Sequence, residues 1–186
     1  MAKRVRYSPP LRSTLGSRLQ YWSVPLLTFL VLVLFDVLIG GAIAALLQID
    51  GFTTTDQRIN EVYQLGYGIV TVATLLWLYF HSKSTIQILA LVVLLLGFVE
   101  DALFYVLIPL CNPVIAIITN GATYHAKGGE LFPASISGWS GWASRRMWGE
   151  NFALAFENLM LISIVAVTIA LLLLWCGARR QAKRTY

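Results

Sequence analysis

The chain has 186 residues, 58% of them hydrophobic and only 12% charged, with a mean hydropathy of +0.71. Soluble proteins carry about 25% charged residues, so a water-facing fold of this composition would lack the polar side chains to cover itself. Disordered, collagen-like and disulfide-scaffold classes fall on the same numbers. Four long apolar runs instead predict an all-α integral membrane protein, a bundle of four transmembrane helices with a long aromatic-rich outer loop between the third and fourth.

Residues 1–21 form a basic tail with Pro9-Pro10, read as flexible or lying along the inner leaflet. The first span covers about 24–47 and is interrupted only by Asp36; at about 1.5 Å per residue it crosses a roughly 30 Å hydrocarbon core with some tilt. A charged start and Ala42-Ile43-Ala44 imitate a cleavable signal peptide. The apolar stretch before Ala42 exceeds the roughly 7 to 15 residues of a signal core, so the run reads as an uncleaved anchor. A short outer loop follows over 48–61, where Thr53-Thr54-Thr55-Asp56 offers a helix cap.

The second span, about 63–80, is the least apolar and is led in by Glu61, Tyr63 and Gln64. The turn from His81 to Thr85 is so short that spans two and three form an antiparallel hairpin. The third span, about 86–110, contains the adjacent pair Glu100 and Asp101. From Cys111 to Gly149 comes a long outer segment rich in isoleucine and aromatics, including Tyr124, Phe132, Trp139, Trp142 and Trp148, spaced by glycines. Long connections need a reason, and this composition fits a cap over the mouth of the bundle or plain interfacial anchoring. The fourth span, about 152–176, carries Glu157 and Asn158 near its start. A basic tail, 178–186, closes the membrane domain of 22–177.

Cytoplasmic loops collect lysine and arginine, and the cations are unevenly shared. Lys3, Arg4, Arg6, Arg12 and Arg18, then Lys83, then Arg179, Arg180, Lys183 and Arg184 fall on one side of a four-span protein. The other side holds Arg58, Lys127, Arg145 and Arg146. Both termini are therefore expected in the cytoplasm. Trp22, Trp77, Tyr79 and Trp175 fall at the expected inner headgroup level. A pI near 9.4 is explained by this topology and by anionic lipid, and no nucleic-acid partner is expected. Cys111 and Cys176 lie a membrane thickness apart and cannot pair within one chain.

Ionisable groups inside spans mark functional sites by default. Here they are Asp36, Glu100, Asp101 and Glu157, all in the outer half and within roughly 10 Å of one another in depth. No lysine or arginine accompanies them. Repulsion in low dielectric then demands protonated acids or a bound cation, or satisfaction by Tyr63, Gln64, Tyr67, Tyr105, Asn151 and Asn158 with water. Asp36, Gly40 and Ala44 stack at intervals of four, and small residues allow close helix approach. Glu150-Asn151 recurs seven residues on as Glu157-Asn158, one polar stripe whose lower pair is expected to enter the bundle. Asp101, on the face of Gly97 and Tyr105, is placed slightly ahead of Glu100 as the inward acid.

Asp36, Glu100, Asp101, His125 and Glu157 are suitable ligand types for a divalent metal, and a sodium ion fits the acids as well, but no His-Glu-x-x-His or di-iron spacing is present. A serine hydrolase has no Gly-x-Ser-x-Gly elbow to support it. The leading reading is a carboxylate-centred cavity that binds a cation or proton during small-solute transport or sensing. An enzyme using the same acids on lipid, with or without a metal, is the rival, and a structural subunit of a membrane complex is the third. Besides the lipid bilayer, a second copy or a membrane partner subunit is the expected partner.

Overall fold

The structure, a computed structural model, describes residues 11–50, 54–125, 139–149 and 154–184. Among them every element is helical: α1 (Leu11–Phe35), a π-helical turn (Asp36–Gly40), α2 (Gly41–Asp50), α3 (Thr54–Ser82), α4 (Thr85–Leu96), α5 (Val99–Ile118), α6 (Trp139–Trp148) and α7 (Phe156–Arg184). Four stretches are long and apolar enough to cross a membrane: Leu19–Leu47, Val62–Ser82, Val99–Ile118 and Phe156–Gln181.

The first crossing is one long rod with two local departures. Pro25 sits inside α1, and a proline has no N–H to give the carbonyl four residues earlier. That carbonyl, on Tyr21, instead accepts from Nε2 of Gln87 at 2.6 Å. A polar side chain on α4 thus repairs a backbone bond that α1 cannot make. The second departure is the π turn at Asp36, where the Gly41 N–H reaches back to the Asp36 carbonyl.

The third apolar run is not the single helix expected over 86–110. It stops at Leu96 and restarts at Val99, with Phe98 in the left-handed region at φ 55°. A non-glycine residue there is strained, and neighbours compensate. The Ser163 hydroxyl on α7 donates to the carbonyls of both Gly97 and Phe98 at 3.3 Å. At Gly97 itself an added Cβ would overlap the Cβ of Ala166 on α7, so glycine permits the close approach of α4 and α7, the most extensive helix pair among the described residues.

Beyond the break α5 runs through Pro109 and Pro113 to Ile118. The outer segment therefore begins later than Cys111, because these prolines fail to end the helix where breakers usually do. After it the chain folds back: Asn112 donates to the Tyr124 carbonyl at 3.0 Å and accepts from its N–H at 3.1 Å. Within the long connection α6 forms a further helix, its Ala143 buried with Phe98, Ala102, Tyr105, Leu154 and Leu159. The Thr53 cap lies outside the described residues, as do Pro9-Pro10 and Phe132.

One end of the molecule gathers Tyr21, the 81–87 turn and Gly177. Tyr21 Oη pairs with Ser84 Oγ at 2.8 Å, and a Cβ at Gly177 would collide with the Tyr21 hydroxyl. The crossings thus run alternately up and down, with Tyr21 of α1 and Gly177 of α7 both on the side of the α3–α4 turn. The core between them is small and aliphatic, including Leu32, Val33, Val37, Ala45, Leu78, Ala90, Leu91, Ile115 and Leu174.

Candidate functional site

The Tyr21–Ser84 hydrogen bond gives a common level from which depth can be counted along two parallel rods. Fifteen residues separate Tyr21 from Asp36, about 22 Å of helix, and sixteen separate Ser84 from Glu100 across the break at Gly97 and Phe98. Each acid sits at a defect. Asp36 opens the π turn, and Glu100 and Asp101 occupy the first turn of α5 just beyond Phe98. The first turn of a helix presents unpaired N–H groups and a partial positive pole, so the break supplies some compensation that lysine and arginine do not.

Helix α3 brings tyrosines to these acids. The Tyr63 hydroxyl donates to Asp36 Oδ1. Gly40 makes room for this bond, since a Cβ there would stand 2.6 Å from the phenolic oxygen and 2.9 Å from Oδ1. One turn along α3, Tyr67 lies beside Glu100, close enough for the carboxylate to act on the phenol. Its hydroxyl is buried and closes no hydrogen bond of regular geometry, and the same holds for the Thr71 hydroxyl another turn on. The rings of Tyr63 and Tyr67 are 6.3 Å apart, and Phe35 stacks on Tyr67 at 6.3 Å. Asp36, Glu100 and Asp101 lie within electrostatic reach of one another. Of the adjacent pair, Glu100 is the buried one, with 9% of its surface exposed, and Asp101 is half-buried. The preference for Asp101 as the inward acid is therefore reversed. The α5 helix starts afresh after Phe98, and its phase cannot be read from α4.

The other sequence candidates separate from this group. Glu157 and Asn158 are exposed on the first turn of α7, so the lower pair of the stripe does not enter the bundle. The helix begins at Phe156, and an acid in that position faces the unpaired N–H groups of a helix start. Glu150 and Asn151 lie outside the described residues. Tyr105 is buried, its ring edge-on to Phe104 at 5.6 Å and to Phe156 at 6.2 Å, in the layer shared by α5, α6 and α7. Exposed His125 meets the Thr123 hydroxyl at 2.9 Å, on the segment where burial pushes the neighbouring Tyr124 phenol upward. Among the described residues no three His, Cys, Asp or Glu side chains converge as a metal ion would require. That removes geometric support from the five-residue metal set of Asp36, Glu100, Asp101, His125 and Glu157.

The tyrosines were visible in the sequence among the polar groups of the least apolar span. Their role as the bridge from α3 was not, because it depends on Gly40 and on the π turn that points Asp36 toward them. Compared with protein-family models, with curated proteins and with solved structures, the chain matches none.

Proposed function

We propose that the chain is a multi-pass membrane protein in which Asp36 and Glu100, with Asp101 alongside, bind a proton or a monovalent cation in the course of moving or sensing a small solute. The observation that carries this reading is the meeting of Asp36 and Glu100, each at a helix defect, beside Tyr63 and Tyr67. No lysine or arginine falls within Leu19–Leu47, Val62–Ser82 or Val99–Ile118. Neighbouring carboxylates in a low-dielectric setting repel, and a proton or small cation relieves that repulsion. Phenols can donate to a carboxylate and can turn their lone pairs toward a cation, so Tyr63 and Tyr67 suit either occupant. Broken and π-bulged helices recur where membrane proteins bind ions and solutes, because the irregular backbone offers groups that a continuous helix consumes. The distribution of lysine and arginine supports both termini on the cytoplasmic face.

The test is thermal unfolding of the purified chain in neutral detergent across sodium, potassium, lithium and pH. A ligand that binds the folded state raises the midpoint as its concentration passes the dissociation constant. One cation, or acidification, is expected to raise it by several degrees. Asp36→Asn and Glu100→Gln should remove the effect, and Glu157→Gln should retain it. A midpoint indifferent to every cation and to pH, or an equal loss in Glu157→Gln, overturns the proposal.

A further inference from the structure

The end of the molecule opposite the acids holds a second, chemically contrasting site. A cavity of 570 Å³ opens between α1, the α3–α4 turn and α7, and its lining includes Lys83, Arg180, His81, Tyr21, Ser84 and Gln87. Its floor is built rather than incidental. Gln87 is 3% exposed, its amide fixed by the Tyr21 carbonyl that Pro25 leaves unbonded, and the Tyr21 hydroxyl is paired with Ser84. Gly177 lets Tyr21 and Ile86 meet α7 closely. Lys83 is presented from the tip of the turn with φ 49°. Ser84 caps α4, its side chain accepting from the Gln87 N–H. The first-turn residues Thr85 and Ile86, whose N–H groups have no helical partner, also line the cavity.

The charge here is of one sign. None of the nine acids falls in residues 20–24, 81–87 or 177–181, so the segments that line the cavity carry no internal counter-charge for Lys83 and Arg180. Aromatic and cationic groups pair at the same end: Trp77 stacks on His81 at 5.0 Å, and the Arg179 guanidinium lies 3.6 Å over Trp175. Such pairs belong at the headgroup level of a membrane. Two cations, a helix start and hydroxyl donors around a polar cavity recognise a tetrahedral oxyanion. We infer that this cavity binds a phosphate-bearing anion, supplied by the headgroup of an anionic phospholipid in the adjoining leaflet. It stands independently of the carboxylate site.

The experiment uses the full chain in neutral detergent with phosphatidylglycerol, phosphatidylcholine or inorganic phosphate added singly, read by native mass spectrometry and by the thermal midpoint. Phosphatidylglycerol should be retained in preference to phosphatidylcholine. Lys83→Gln and Arg180→Gln should each weaken that retention about tenfold, the loss of one charge-assisted contact. Arg179→Gln removes the same charge from the same helix end but does not line the cavity, and should change retention less than about twofold. All three variants should unfold at the parent midpoint without lipid. Saturable stabilisation by inorganic phosphate that Arg180→Gln removes also supports the site and names a soluble source. Equal retention of the two lipids with no effect of phosphate, or equal losses in Arg179→Gln and Arg180→Gln, overturns it.

Discussion

Helices α3 and α7 are both 29 residues long and both apolar, yet they are attached to the rest of the molecule in opposite ways. α7 is joined to α4 by shape: Gly97 against Ala166, with Ala90, Ala170 and Leu174 filling the seam. α3 buries only 6% of its membrane-crossing window, against 28% for α7. Val62, Leu65, Ile69, Val72, Leu76 and Phe80 all face outward on it. What ties α3 at the level of the acids is polar, through Tyr63 on Asp36 and Tyr67 beside Glu100. Apolar contacts between helices gain little in lipid, so close packing and polar bonds hold crossings together. At the level of the acids α3 relies on polar bonds, with Leu78 buried nearer the turn, and α7 relies on close packing supplemented by the Ser163 bonds to the break. The seat of α3 is consequently sensitive to whatever neutralises the acids, and that of α7 is not.

The sharpest way to break this contrast is to attack the packed seam. Gly97→Val should force α4 from α7 and destabilise the fold by about 3 kcal/mol, the upper range for overpacking, read as a lower unfolding midpoint in detergent. Asp36→Ala should cost about 2 kcal/mol, in part by leaving the Tyr63 phenol without its acceptor and otherwise through the space vacated between α1 and α3, and should raise hydrogen exchange in α3 while α7 remains protected. Gly177→Ala pushes on the Tyr21 hydroxyl and should cost about 1 kcal/mol through the displaced Tyr21–Ser84 bond. Pairing Asp36→Ala with Tyr63→Phe in a double-mutant cycle should return a coupling near the average of about 0.6 kcal/mol for hydrogen bonds between membrane helices. A coupling of zero would separate α3 from the acid and erase the comparison.

The sequence carried the four apolar crossings and the company of Asp36 with Glu100, since mass hydrophobicity and isolated acids are local properties. Gly40 was legible as a small residue beside Asp36, where a Cβ would meet the Tyr63 hydroxyl, whereas the role of Gly97 against Ala166 was not. The division of the third run was hidden. Leu94, Leu95 and Leu96 continue the apolar pattern right up to the break, and Phe98 is a poor candidate for a left-handed residue by any local rule. It holds that conformation because α7 and α6 pack around it. The π turn was equally silent, and with it the direction of Asp36. Pro109 and Pro113 lie inside α5, which runs on past the expected end near residue 110. Pro25 with Gln87 is a pair separated by sixty-two positions, and only the fold brings the orphaned carbonyl to its donor.

The hydroxyl of Ser163 has an implication for biogenesis. A polypeptide is delivered to the membrane from its amino end, so the third crossing is laid down before the segment that carries this serine. Until then the oxygens of Gly97 and Phe98 lack the Ser163 donor, Phe98 keeping only the Ala102 N–H at 3.0 Å, and an under-satisfied carbonyl in lipid is costly. The final hydrophobic segment is thus what completes the backbone of an earlier one. A protein truncated before it should leave the ribosome as an insertion intermediate, vulnerable to membrane quality control, however oily its remaining stretches are.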